Sequence, residues 1–189
     1  MATEILKRRQ FLRGDFAAQR LPIRPPWAVD EGTFINRCTR CHACEPVCPE
    51  QLIQAGSGGF PELDFSRAGC TFCAACALSC LTGALHNDVS FRVPWTLQAH
   101  LAPGCLALQG VVCRSCGEQC EVEAISFKLH RNGVAQPQID TGVCTGCGAC
   151  IGVCPSHALK LRAVSPTLEP QRTPHFPMKT LAGEISNAD

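Results

Sequence analysis

Sixteen of the 189 residues are cysteine, and they fall into four groups. The first reads Cys38-x2-Cys41-x2-Cys44-x3-Cys48-Pro49. The second is Cys70-x2-Cys73-x2-Cys76-x3-Cys80, and the fourth is Cys144-x2-Cys147-x2-Cys150-x3-Cys154-Pro155. A loop with a thiolate at every third residue wraps one corner of an iron–sulfur cubane and reaches three of its irons. The fourth Cys lies beyond a short helical turn and points toward a neighbouring cluster. Structural zinc prefers separated C-x2-C pairs, because a third Cys two residues on completes a tetrahedron poorly. A disulfide framework would need an export signal and more widely spread spacings. The spacing therefore points to [4Fe–4S] chemistry.

The third group departs from the run. It is Cys105-x7-Cys113-x2-Cys116-x3-Cys120, with its first ligand displaced by a longer loop. Cys105 is the one thiol left over, so the count favours a complete cluster on a distended loop over a three-iron site. In the bacterial ferredoxin run the fourth Cys serves the other cluster of a pair, which gives a crossed assignment. Cys38, Cys41 and Cys44 join Cys80, while Cys70, Cys73 and Cys76 join Cys48. In the second half, Cys105, Cys113 and Cys116 join Cys154, and Cys144, Cys147 and Cys150 join Cys120. Four [4Fe–4S] clusters result. Small residues between ligands, such as Ala43, Ala74, Gly146 and Gly148, let backbone N–H groups approach the sulfurs and tune the potentials. Cys80 and Cys120 lack the following Pro, and Glu121 sets negative charge beside a ligand, which disfavours a reduced cluster.

The elements that must hold these loops repeat as well. Five positions after the last Cys of each group stand Ile53, Leu85, Ile125 and Leu159, preceded by Leu52, Ala84, Ala124 and Ala158. Between the first and second groups the chain reads as a hairpin turning at Gly56–Gly59. Between the third and fourth, Ile125, Phe127 and Leu129 alternate with polar residues ahead of an Asn132-Gly133 turn. The unit is motif, hairpin, motif, short strand, and it occurs twice. The fold class expected is α+β: two tandem bacterial-type ferredoxin-like modules, each with two [4Fe–4S] clusters, flanked by an irregular arm and tail. The boundaries expected are 1–30 for the arm, 31–90 for module 1, 91–100 for a linker, 101–163 for module 2 and 164–189 for the tail. Residues from Glu4 to about Phe16 read as a short amphipathic helix. Leu21–Trp27 must be extended because each Pro fixes φ, with Trp27 pinning that strap to the body. Pro94-Trp95 is a hinge or a wedge between modules.

Only 6% of residues are aromatic and there is no Tyr, so the core is thin and metal binding should be coupled to folding. The formal charge of +1 becomes about −7 once four clusters at roughly −2 each are counted. There is no basic stripe to bind nucleic acid and no apolar run long enough to span a membrane. Arg8-Arg9-Gln10-Phe11-Leu12-Arg13 looks like a twin-arginine export motif. A charged, Pro-rich stretch follows it where an apolar one is needed, which makes a cytoplasmic location the expectation. His42 lies inside a motif already complete in thiolates, and a surface or packing role suits it better than ligation. No Ser/His/Asp set, paired carboxylates or phosphate-binding loop occurs, so an enzyme is not expected.

Clusters alone leave two functions open: a redox carrier or relay, and a factor that hands clusters or a folded state to a client. The sequence resembles the NapF-type ferredoxin-like proteins linked to periplasmic nitrate reductase. The residues that carry the resemblance are Arg8-Arg9-x-Phe11-Leu12-Arg13-Gly14, Ile23-Arg24-Pro25-Pro26-Trp27 and Cys38-Thr39-Arg40-Cys41. Gly58-Gly59-Phe60-Pro61, Cys70-Thr71-Phe72-Cys73 and Cys105-Leu106-Ala107 extend it, and the tail after Arg162 lies outside it. The resemblance implies a cytoplasmic accessory protein that meets the catalytic subunit of periplasmic nitrate reductase before export and helps it mature, through that subunit's own iron–sulfur cluster. Electron transfer to a redox partner is the alternative. Arg8, Arg9 and Arg13 form a candidate docking element for the client.

Overall fold

A computed structural model describes residues 22–89, 93–131 and 133–164. The helix expected near the N-terminus, the docking arginines Arg8, Arg9 and Arg13, and nearly all of the tail lie outside the described residues. Among those described, no helix is long and apolar enough to cross a membrane.

The first module opens with helix α1, Glu31–Arg37. Asp30 caps it by accepting a hydrogen bond from the Thr33 N–H at 3.0 Å, satisfying one of the orphan donors of the first turn. That bond holds the Asp30 carboxyl below its ordinary pKa. Phe34 is fully buried and anchors the helix to the core. The chain then forms β1, Ile53–Ala55, a 3-10 turn at Ser57–Gly59, and β2, Pro61–Leu63. The two strands pair antiparallel with Ile53 opposite Leu63. Gly58 and Gly59 turn the chain with φ of 70° and 77°, a region glycine enters without steric cost. Helix α2, Ala75–Leu78, follows.

The second module contains β3, Leu97–Leu101, helix α3, Ser115–Glu118, and the hairpin of β4, Ile125–Leu129, with β5, Ala135–Ile139. Helix α4, Ala149–Gly152, and β6, Leu159–Ala163, complete it. β4 pairs with β5 and β3 with β6, all antiparallel. The eight repeat positions read from the sequence, Leu52-Ile53, Ala84-Leu85, Ala124-Ile125 and Ala158-Leu159, are all buried.

Two expected boundaries need correction. The stretch 91–100 is not a linker throughout, because Leu97 to Leu101 pairs residue by residue with β6 and belongs to the second module's sheet. Residues 22–30 are likewise part of the first module. Ala28 bridges to Leu85, Ile23 C=O accepts from Leu63 N–H at 2.8 Å, and Trp27 is buried. In both cases the segment meets partners distant in sequence, β6 for Leu97–Leu101 and Leu63 and Leu85 for residues 22–30. No local pattern reveals such a pairing.

Arg24 ties this strap to the module. Its guanidinium donates to both carboxylate oxygens of Glu31, at 2.7 and 3.0 Å, and to the Pro61 C=O at 3.1 Å. It also stacks over the rings of Phe34 and Phe60, 5.0 and 5.6 Å from their centroids. One side chain thereby joins the strap, α1 and the β1–β2 hairpin.

Candidate metal centre

The four motifs share a backbone device that the sequence only hinted at. Three residues after the last Cys, the chain enters the left-handed region: Gln51 at φ 52°, Gly83 at 69°, Glu123 at 52° and His157 at 49°. That reversal turns N–H groups back onto sulfur. Leu85 N–H donates to Cys80 Sγ at 3.4 Å, Ala124 to Cys120 at 3.3 Å and Ala158 to Cys154 at 3.3 Å. Only Gly83 among the four signalled the turn by its residue type.

A second device surrounds the middle Cys of three motifs. The residues before and after it both have positive φ: Arg40 and His42 around Cys41, Phe72 and Ala74 around Cys73, Gly146 and Gly148 around Cys147. Left-handed residues on both sides of that Cys curl the loop, a backbone shape that can turn N–H groups toward an anionic group. Phe72 N–H donates to Cys70 Sγ at 3.4 Å accordingly. The third motif differs. Arg114, after Cys113, has φ −131°, and the displaced loop turns instead at Gly110, φ 87°. The irregular spacing thus marks an irregular backbone.

In three of the four motifs the third Cys sits in a one-turn helix, Cys76 in α2, Cys116 in α3 and Cys150 in α4. In the first motif, Pro46 lacks the N–H a helix would need, and residues 43–47 form turns instead.

Two recesses gather the thiols. One, about 350 Å³ of empty space partly open to solvent, is lined by Cys48, Cys70, Cys73 and Cys76 with walls from Trp27 and Ile53. The other, about 340 Å³, is lined by Cys120, Cys144, Cys147 and Cys150 with walls from Ala99 and Leu161. Burial pushes the Cys70 thiol far up, and charge on Cys76, Cys73 and Cys48 would push it further. Burial likewise raises Cys76 to about 12, Cys150 to about 12 and Cys147. Cys120 is among the charges acting on Cys147 and Cys150. At Cys116, raised to about 11 by burial, the neighbouring charges are Cys105, Cys113 and Cys154. Cys44 is raised to about 11 by burial, then by the charges of Glu45, Cys38 and Cys41.

Cys80 and Cys154 go the other way. Burial raises them, but hydrogen bonds from the Leu85 N–H and Thr82 hydroxyl, and from the Ala158 N–H and Ser156 hydroxyl, outweigh it and lower both. These two fourth-position thiols are therefore held below the ordinary cysteine range.

The donor set fits a cluster better than a single ion. Among the described residues, no three His, Cys, Asp or Glu side chains meet closely enough to hold one ion, whereas four thiols ring each recess. Mutually repelling thiolates in apolar walls need positive charge between them, and iron supplies it. His42 Nδ1 lies 2.8 Å from Glu45 Oε1, a surface pairing as expected.

The 4Fe-4S dicluster domain family matches residues 37–84 and again 111–158. The NapF ferredoxin-type protein of Escherichia coli K12 is 41% identical over 152 residues, 80% of this chain and 92% of that one. That of Haemophilus influenzae is 39% identical over 171 residues, 85% and 96% of the two chains. The chain belongs to the NapF ferredoxin-type family. It is thus an iron–sulfur protein with two tandem dicluster domains, and the resemblance read from the sequence holds over most of its length. The methylamine utilization ferredoxin-type protein MauM of Methylophilus methylotrophus is similar at 33% identity, over 68% of this chain and 64% of that one. No solved structure matches. The second dicluster match begins at residue 111, so Cys105 lies outside the matched segment.

Proposed function

We propose that this protein holds four [4Fe–4S] clusters on its sixteen cysteines in the crossed arrangement. Cys38, Cys41, Cys44 and Cys80 hold the first cluster, and Cys70, Cys73, Cys76 and Cys48 the second. Cys105, Cys113, Cys116 and Cys154 hold the third, and Cys144, Cys147, Cys150 and Cys120 the fourth. The two thiol-ringed recesses support the second and fourth assignments, since each joins three thiols of one motif to the last thiol of its neighbour. When bound, the clusters supply one-electron chemistry and a store of iron and sulfide. The protein's part is to keep the thiols aimed inward and to aim N–H groups at the sulfurs.

We further propose that the protein works in the cytoplasm as a maturation factor. Its client is the catalytic subunit of periplasmic nitrate reductase, which it helps to acquire an iron–sulfur cluster before export. The similarity to NapF proteins over most of both chains carries this reading. The exposed Cys41 thiol suits it, because a transferable cluster needs an accessible edge. An electron relay is the second reading. It is favoured by the direct backbone bond from Cys70 to Cys147, which sets ligands of the two modules side by side.

A transfer experiment separates the two. The protein, loaded anaerobically with isotopically labelled iron, is mixed with the cluster-free catalytic subunit and the two are re-separated. Label and activity in the reductase support maturation. Label retained here, with the reductase reduced instead, would sink maturation and leave the relay.

A further inference from the structure

The two sites at the module boundary are joined through their chelating loops. Cys70 N–H donates to the Cys147 C=O at 2.7 Å, so a proposed ligand residue of one module is bonded to one of the other. Trp95 stands between the loops. Its ring meets Phe72 edge-on at 5.4 Å and Phe65 at 6.2 Å, while its Nε1–H donates to the Thr145 C=O at 3.0 Å. Phe72 lies between Cys70 and Cys73, and Thr145 between Cys144 and Cys147, so one side chain touches both loops next to their thiols. The backbones approach closely. A Cβ on Gly69 would come within 2.6 Å of the Ala149 Cβ and 2.8 Å of its Cα. Cys147 packs against the first module's core. The outer loops are braced inside their own modules, by Arg40 over Phe60 at 5.2 Å and Arg114 over Phe127 at 4.9 Å.

Ordering a chelating loop has an entropic cost, and a loop already held by its neighbour meets less of it. We propose that the boundary sites, Cys48/Cys70/Cys73/Cys76 and Cys120/Cys144/Cys147/Cys150, form one coupled unit that fills and empties together. Trp95 is the positioning residue that passes loop order between them, while the two outer sites respond locally. The inference rests on the four-cluster reading above, and the test tells their failures apart.

Full-length protein and its Cys150→Ser variant are reconstituted anaerobically with iron and sulfide, with and without Trp95→Ala. Native mass spectrometry counts clusters, and hydrogen exchange follows residues 70–76. Coupling requires that Cys150→Ser speed exchange over 70–76 by roughly tenfold or more and empty the second site as well as the fourth. In the Trp95→Ala background the second site should no longer respond. Trp95→Phe, which keeps the ring but not its N–H, should weaken the coupling by a smaller factor. Gly69→Ala, which forces the seam apart, serves as an independent uncoupling variant should Trp95→Ala fail to fold. If Cys150→Ser leaves exchange over 70–76 unchanged while the second cluster stays, coupling is overturned and the four-cluster reading stands. A wild-type chain that never reaches four clusters overturns that reading and the inference with it.

Discussion

Ala74 and Gly148 hold the same place in their motifs, one residue after the middle Cys and at the N-cap of the one-turn helix. Both are left-handed, at φ 63° and 80°, but their surroundings differ. A Cβ added at Gly148 would enter the ring of Phe65 from the first module. Gly148→Ala therefore meets two costs: about 1–2 kcal/mol for a left-handed residue with a Cβ, and about 1–3 kcal/mol of overpacking against a ring held by Trp95. A central value near 3 kcal/mol corresponds to roughly a hundredfold in rate. Ala74→Gly, the reverse exchange, relieves about 1 kcal/mol of strain and gives up a buried methyl worth about 0.8 kcal/mol, so it should be close to neutral. The assay is the rate at which anaerobic holoprotein in guanidinium loses its visible thiolate-to-iron absorption, since loss of clusters makes unfolding irreversible. The fourth motif should lose absorption much faster in Gly148→Ala, and Ala74→Gly should track wild type. Equal rates for both variants would refute the idea that the module boundary presses on the fourth motif.

Arg24→Ala should accelerate cluster loss in the same assay. It removes a largely buried guanidinium with two carboxylate bonds, one carbonyl bond and two ring faces, worth about 2–4 kcal/mol together. Arg24→Lys should recover less than half, because an ammonium cannot keep the bidentate fork. The Asp30 cap gives a pH dependence. Its carboxyl is depressed in the fold, so its contribution to α1 is present above the ordinary carboxylate pKa and is lost as pH falls through the depressed value. Amide exchange of residues 34–38 in acid should show this, and Asp30→Asn, which still caps, should flatten it. Cys116→Ser should empty the outer site of the second module and leave the other three clusters intact by Mössbauer counting; loss of all four together would contradict a local role for the outer sites.

The iron–sulfur character of the chain was legible because it is written in residue type and spacing. Fifteen of the sixteen thiols keep ferredoxin intervals and need few other signals, and the buried pair after each motif could be found by alignment alone. What the sequence hid was long-range or conformational. The pairing of β3 with β6 joins residues more than fifty positions apart, so the linker expected at 91–100 looked unstructured. The left-handed residues at Arg40, His42, Phe72, Gln51, Glu123 and His157 carry side chains that disguise them, whereas glycine announces the same conformation at Gly146 and Gly148. Trp95 was legible as a wedge, but its bond to Thr145 depends on how two modules meet.

The most direct measurement counts iron and acid-labile sulfide per chain in anaerobically purified protein, with Mössbauer spectroscopy to identify the cluster type. Four cubanes require roughly sixteen irons and sixteen sulfides per chain, all in [4Fe–4S] form. About twelve irons, a three-iron signal or stoichiometric zinc would contradict the assignment of all sixteen cysteines to four such clusters.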